Sequence, residues 1–328
     1  LFVSLSSLLF LGFLLAFLFL PSLQRPETVE VRVERGEPFA SVVHKLKDKD
    51  VILNERLFSL WARLSSVDRE IHWGLYRFEL PLAPREVLDR MVLGRGVFHR
   101  ITIPEGLTVR EIADLLEKGG VGKKDRFLAA ATIPEILSLL GLEGKGVEGY
   151  LFPDTYYFTP FITERDILIV MAKQFRRIFN SMMEEQAKEI GLSLHEVVTL
   201  ASLIEKETGI EAERPLVSAV FHNRLKHKIP LQSDPTVIYG LKHFSGNLTR
   251  KDLQSRSPYN TYQIQGLPPA PICNPGLSSL MAALYPAPVP YLYFVSKNDG
   301  SHLFSVSLKE HNRAVKIYQK RRGHLPRQ

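Results

Sequence analysis

The start of the chain constrains it most. Residues 1–20 read LFVSLSSLLFLGFLLAFLFL, with no charge before Arg25. Twenty residues, apolar but for three serines, at about 1.5 Å each span ~30 Å, the hydrocarbon thickness of a bilayer. Such a helix satisfies its own backbone polar groups, which lipid cannot do. A cleaved leader has a shorter apolar core, about 7–15 residues, and ends at small residues. The FLPSLQ at the end of this run offers no such site. Residues 1–20 therefore read as an uncleaved, single-pass transmembrane anchor. With no second apolar span, the rest of the chain is expected on one side of the membrane.

A polar linker, 21–28, separates that run from two small modules. In the first, 29–96, VEVRVE (29–34) alternates as a strand does, Gly36 breaks it, and Phe39, Val42, Val43 and Leu46 recur at helical spacing. Asn54 is placed to cap a second helix, and WGLYRFEL (73–80) reads as a returning strand. The second module, 97–146, repeats the opening of the first. Residues 100–103 alternate, Gly106 matches Gly36, and Val109, Ile112, Ala113 and Leu116 match the four apolar positions after Gly36. Thr108 with Glu111 has capping-box spacing. This strand–glycine–helix unit resembles the LysM fold, a small glycan-binding module, although a spacer would show the same pattern.

From residue 147 the texture becomes dense in polar and aromatic clusters. EGYLFPDTYYF (148–158) is followed by a helical stretch over 167–190, then LSLHEVVTLASLIEKET (192–208) and AVFHNRL (219–225). Next come LQSDPTVIYG (231–240), SPYNTYQIQGLPPAPICNPG (257–276), a short helix over 277–284, and YLYFVS with HLFS around Asn298-Asp299-Gly300 as a hairpin.

Several chemistries lose their support. His195-Glu196 begins an HExxH pattern, but Thr199 stands where the second histidine is required. Ser202 and Lys206 are spaced SxxxK, not SxxK. Neither GxGxxG nor a Walker A loop occurs, and His222, His243, His302 and His311 lack metal spacing, so no cofactor and no metal are expected. The single Cys273 cannot form an internal disulfide. A net charge of +7 favours anionic partners. The positive residues are dispersed apart from a short tail at 316–322, which speaks against nucleic acid.

The stretch 194–208 carries more. At about 100° per residue, Leu194, Val197, Val198, Ala201 and Ile204 share a helix face, Glu205 borders it, and Glu207 lies on the opposite flank. A carboxyl held against apolar neighbours has its pKa raised, as a general acid for glycosidic cleavage requires. On helical geometry alone Glu205 reads instead as a surface or salt-bridged residue, with Arg224 as a partner.

ASLIEKET, HNRL, LQSDPTVIYG, SPYNTYQIQGLPPAPICNPG, YLYFVS and EGYLFPDTY together resemble the YceG-like, MltG-type endolytic murein transglycosylases over nearly the whole chain. Ala270 and Cys273 depart from the pattern GLPPGPI-x-NPG, and SHLFS lacks a GGH-type lead-in. The resemblance implies an α+β protein: a single N-terminal transmembrane helix, small LysM-like βααβ modules, and a mixed α+β catalytic domain over 147–328. It implies cleavage of the MurNAc-β-1,4-GlcNAc bond of nascent peptidoglycan strands with formation of a 1,6-anhydro ring. Because the MurNAc C6 hydroxyl is its own nucleophile, one glutamate serves as acid and then base, without a second carboxylate.

In the family the first glutamate of EKE is taken as catalytic, which maps to Glu205, with Glu207 as its close neighbour. Sugar contacts would fall to Tyr150, Asp154, Tyr156, Asn223, Gln232, Ser233, Asp234, Tyr259, Asn260 and Tyr262, each of which is equally suited to bracing a loop. Asp234 is the rival carboxylate. The resemblance places the protein in the cytoplasmic (inner) membrane, facing the periplasm or cell exterior. Expected partners are glycan strands, membrane lipid through the anchor, and peptidoglycan synthases. A non-catalytic glycan-binding scaffold for those synthases is the alternative.

Overall fold

The computed structural model describes Leu18 and residues 26–34, 36–141 and 146–319. The chain divides into two compact units. One takes in the sequence through Ile101 with Gly119–Val121 and Tyr156–Ile162; the other holds Thr102–Lys118, Gly122–Thr155 and everything from Thr163.

The smaller unit runs β1 (Glu27–Val33), α1 (Phe39–Asp48), α2 (Glu55–Leu64), β2 (Gly74–Leu80) and α3 (Pro84–Val92). The two strands are antiparallel, with Glu27 opposite Leu80 and Val33 opposite Gly74. Alternation sends Val31, Val33, Tyr76 and Phe78 to one face, where Val42, Val43 and Leu46 of α1 and Phe58 and Ala62 of α2 cover them. Asn54 caps α2 as its position suggests, its side chain accepting from Leu57 N. The strand–helix–helix–strand order read from the sequence is present.

The chain continues through β3 (His99–Thr102), α4 (Val109–Lys118), α5 (Lys124–Ala130), α6 (Pro134–Leu140) and β4 (Thr155–Phe158). Strands β3 and β4 form a second two-stranded sheet. The repeated handover is also present: Gly36 and Gly106 have φ of 76° and 79°, a left-handed turn that glycine adopts without cost. At Thr108 the capping box closes, with Thr108 N donating to Glu111 Oε2 at 2.8 Å and Glu111 N to Thr108 Oγ1 at 3.2 Å.

The larger unit then builds α7 (Glu164–Ile178), α8 (Ser181–Glu189), α9 (Leu194–Glu207), a single 3-10 turn (Glu211–Glu213), α10 (Arg214–Lys226), α11 (Asp234–Gly240) and α12 (Leu277–Leu284). It ends with the antiparallel hairpin β5 (Tyr293–Ser296) and β6 (His302–Ser305), followed by α13 (Leu308–Tyr318). The stretch 167–190, read as one helix, is two: Asn180 interrupts it by accepting from Met183 N and capping α8. Helix α9 is the centre of this unit. A Ser193–Glu196 capping box starts it, and every residue from Val197 through Ile204 is buried. Helices α8, α10, α11 and α12 pack around it.

Among the described residues no helix is long and apolar enough to cross a membrane. For the described residues this overturns the expected single-pass anchor, and with it the support for membrane lipid as a partner and for an inner-membrane location. Apart from Leu18, residues 1–20 lie outside the described residues. In the described helices apolar residues line a face packed on the core or, in α9, sit inside it, in stretches far shorter than a bilayer requires. The α+β class stands on the described helices and strands.

Gly149 yields a prediction. Its φ is 90°, and a Cβ there would sit 2.5 Å from Pro271 Cγ and 2.9 Å from Val198 Cγ1. Gly149→Ala combines a left-handed alanine with overpacking against α9, together about 3 kcal/mol. Thermal unfolding should show a drop in Tm of several degrees; an unchanged Tm would mean that this loop repacks freely.

Candidate active site

The last turn of α9 presents two carboxylic acids to different surroundings. Glu205 is 6% exposed at its side chain, and both its oxygens are engaged: Arg214 Nη2 donates to Oε1 at 3.1 Å and Gly276 N to Oε2 at 2.9 Å. Arg214 is itself buried, donates Nε to Ser279 Oγ at 3.1 Å and has Glu105 Oε2 at 3.7 Å. The salt bridge weighed in the sequence therefore exists, with Arg214 in place of Arg224. Glu205 is a tie between α9, the start of α10 and the start of α12.

Glu207, two residues on, lines a cavity of about 380 Å³. The cavity is walled by Arg224 of α10, Leu231, Gln232 and Asp234 at the start of α11, Tyr262, the β5–β6 hairpin and His311 of α13. Burial pushes the Glu207 carboxyl up to about 7, and the nearby Asp234 charge adds to the rise. A hydrogen bond from Ser233 Oγ at 2.5 Å and the Arg224 charge pull the other way without cancelling it. The acid is thus substantially protonated near neutrality and has space beside it.

A raised pKa alone does not single out a residue. Burial lifts Glu148 to about 7 as well. Its oxygens, however, are enclosed by Val109 N at 2.9 Å, Asn274 Nδ2 at 3.1 Å and Tyr239 Oη at 3.3 Å. Glu148 is a buried brace, whereas Glu207 opens on space.

The segment after Leu231 is held by the Tyr259–Tyr262 turn. Gln232 N donates to Thr261 O at 3.1 Å, Ser233 N to Thr261 Oγ1 at 2.9 Å, and Thr236 Oγ1 lies 2.8 Å from Thr261 Oγ1. Gln232 has φ of 53°, a left-handed strain that these bonds sustain beside the cavity. Tyr262 Oη donates to Asp234 Oδ1 at 2.6 Å. Arg224 donates Nε to Leu292 O at 2.7 Å and Nη1 to Leu231 O at 2.8 Å, so one guanidinium fixes two walls.

The structure therefore brings Gln232, Ser233, Asp234 and Tyr262 to Glu207 and sends the other expected sugar contacts elsewhere. Tyr150 is fully buried, its hydroxyl 2.8 Å from His195 Nδ1. Asn223 donates to Val289 O and Tyr291 O, both at 2.9 Å, and Asn260 braces its own loop through Leu253 O at 3.1 Å and Ser255 O at 2.9 Å. Tyr259 packs on Tyr239 with ring centroids 4.8 Å apart. Asp154 is exposed and accepts from Gln174 Nε2 at 2.6 Å, while Tyr156 is buried on β4, its ring 5.4 Å from Phe158.

Sequence reading missed Thr236 and Thr261, whose side chains look like ordinary loop polarity, and gave His302 and His311 no role. It weighed Arg224 only as an alternative partner of Glu205, whereas Arg224 lines this cavity. Among the described residues no group of His, Cys, Asp and Glu is arranged to hold a metal ion.

Comparison with known proteins agrees with this architecture. The family model described as YceG-like matches residues 31–317. An endolytic murein transglycosylase of Bacillus subtilis (strain 168) is 34% identical, over 92% of this chain and 90% of its own length. A protein of the same name from Streptococcus pneumoniae (strain ATCC BAA-255 / R6) is 26% identical over 88% of this chain, which spans 58% of that longer relative. The crystal structure of a putative YceG-like protein from Listeria monocytogenes superposes with a TM-score of 0.60 at 33% identity, covering 88% of this chain and 100% of that one. The chain belongs to the YceG-like family, an enzyme family homologous to the endolytic murein transglycosylases.

Proposed function

We propose that this protein is an endolytic murein lytic transglycosylase whose acid is Glu207, in place of the Glu205 expected from the resemblance. The observation that carries the choice is a carboxyl pushed up to about 7 at the wall of an open cavity, while its neighbour Glu205 is consumed by Arg214 and Gly276 N. The activity itself is inferred from the relatives' name.

Glu207 gives its proton to the leaving glycosidic oxygen as the MurNAc C6 hydroxyl closes on its own anomeric carbon. The nucleophile is tethered to the reacting carbon, so proximity replaces an activated water. The hydroxyl's proton finally returns to Glu207, and no net proton is consumed. Asp234, fixed by Tyr262, contributes negative charge beside the developing oxocarbenium ion, an electrostatic role of the kind that dominates many active sites. Gln232, held in its strained conformation, is positioned for hydroxyl or N-acetyl groups of the glycan.

Digestion of purified glycan strands with mass analysis of the fragments tests this reading. The wild type should leave 1,6-anhydromuramic ends, and reducing ends would mean that water is the nucleophile. Glu207→Gln should lower kcat by about 10³-fold or more with strand binding retained. Glu205→Gln should chiefly lower Tm, because it removes one charge of a buried pair. A fully active Glu207→Gln enzyme would overturn the assignment.

The acidity also sets a pH profile. Cleavage needs protonated Glu207, so the rate should fall as pH rises through about 7. The Ser233 hydroxyl donates to the carboxylate and lowers its pKa, so Ser233→Ala should move the fall to higher pH. A fall that stays in place would show that another group controls the rate.

Stability follows the same linkage. Folding raises this carboxyl from 4.5 to about 7, so the stabilisation is present below 4.5 and lost as pH rises through 7. Glu207→Gln, which stays neutral, should therefore melt above the wild type at pH 8, with the gap closing below pH 4.5. Equal melting temperatures at pH 8 would show that the acid is not desolvated.

A further inference from the structure

His302 has no part in the chemistry above, yet it lines the same cavity as Glu207. Glu213 holds it twice: His302 N donates to Oε1 at 2.9 Å, and Nδ1 lies 2.7 Å from Oε2. Both side chains are only 12% exposed. Burial acts to raise the Glu213 carboxyl, but the two bonds from His302, its charge and the Thr208 hydroxyl together hold the acid below its ordinary value. Glu213 is therefore a carboxylate at neutral pH and can only accept, so Nδ1 carries the hydrogen. In the neutral ring the lone pair then sits on Nε2, which makes no hydrogen bond among the described residues.

The ring is further fixed by Phe294, edge to face at 5.5 Å. Glu213 closes the 3-10 turn that follows α9, and Thr208 Oγ1 reaches it at 3.4 Å. Acid and orienting carboxylate are thus carried by one short, braced stretch of chain. Nucleophile-activating bases commonly show this arrangement of an imidazole with one nitrogen tied to a carboxylate and the other facing substrate.

We propose that His302, oriented by Glu213, is the base that takes the proton of the MurNAc C6 hydroxyl, leaving Glu207 as the acid. The inference rests on the transglycosylase reading. As O6 bonds to C1, its proton passes to Nε2. The C1–O4 bond breaks with its electron pair on O4, which takes the proton of Glu207. The imidazolium then returns one proton to the Glu207 carboxylate, directly or through solvent, and the site is reset without consuming water or any co-reactant.

Three variants of the full chain, assayed on purified glycan strands, test it. His302→Asn keeps an N–H where Nδ1 was and so keeps the bond to Glu213, but puts nothing at Nε2. Its kcat should fall about 10²–10⁴-fold with KM unchanged, the range of a lost general base. His302→Ala should regain activity on addition of imidazole, with anhydro ends still formed. A histidine that only braces the hairpin would predict a near-normal His302→Asn enzyme and no rescue, and either result overturns the proposal. Where His302→Asn melts well below the wild type, Glu213→Gln decides: a lowered kcat at unchanged KM supports the proposal, and a wild-type kcat overturns it. Reducing ends from the wild type would remove the transglycosylase reading itself, whereas anhydro ends with a fully active His302→Asn would remove this inference alone.

Discussion

The larger unit depends on burying a helix on all sides. A helix packed on one face needs only an apolar stripe; α9 has eight consecutive buried residues, Thr199 and Ser202 among them. The two hydroxyls satisfy themselves on backbone carbonyls, Thr199 on His195 O and Ser202 on Thr199 O, both at 2.7 Å. Ser202 Oγ in turn accepts from Ile272 N at 3.0 Å, anchoring the loop before α12. With this rod enclosed, whatever its last turn carries must be either tied down or opened to a cavity. Glu205 is tied down, and Glu207 is opened.

That enclosure explains why the sequence pointed to the flank that does not meet the cavity. Two residues along a helix are about 200° apart, so Glu205 and Glu207 cannot share surroundings. Reading 194–208 as amphipathic makes the flank opposite the apolar face solvent and leaves Glu205 as the desolvated acid. Because α10, α11 and α12 pack around α9, the opposite flank is interior as well, and there the chain leaves a cavity. Periodicity describes one helix; whether a second face is covered depends on helices far along the chain.

The long motifs are legible for a related reason. Many of their polar residues brace loops that would otherwise bury unpaired backbone groups. Asn274 accepts from Leu151 N at 2.9 Å and donates to Leu107 O at 2.9 Å and to Glu148, drawing three distant segments together. Tyr150, Asn223 and Asn260 act likewise, which is why polar type alone could not separate braces from sugar contacts. The Asp234–Tyr262 pair and the Ser233–Glu207 bond join positions 28 and 26 residues apart, beyond any local pattern.

Sequence alone determined what local chemistry controls: the strand–glycine–helix unit at Gly36 and Gly106, the caps at Asn54 and Thr108, helix α12, the hairpin around Gly300, and a family resemblance written in ordered motifs. It could not decide the transmembrane reading, which no described helix supports. Tertiary structure alone decided which of two neighbouring glutamates meets open space, and that His302, 95 positions later, faces the same cavity with Glu213 behind it. The physical reason is that acidity and access come from what packs around a side chain, and that packing is supplied by segments whose approach no short stretch of sequence encodes.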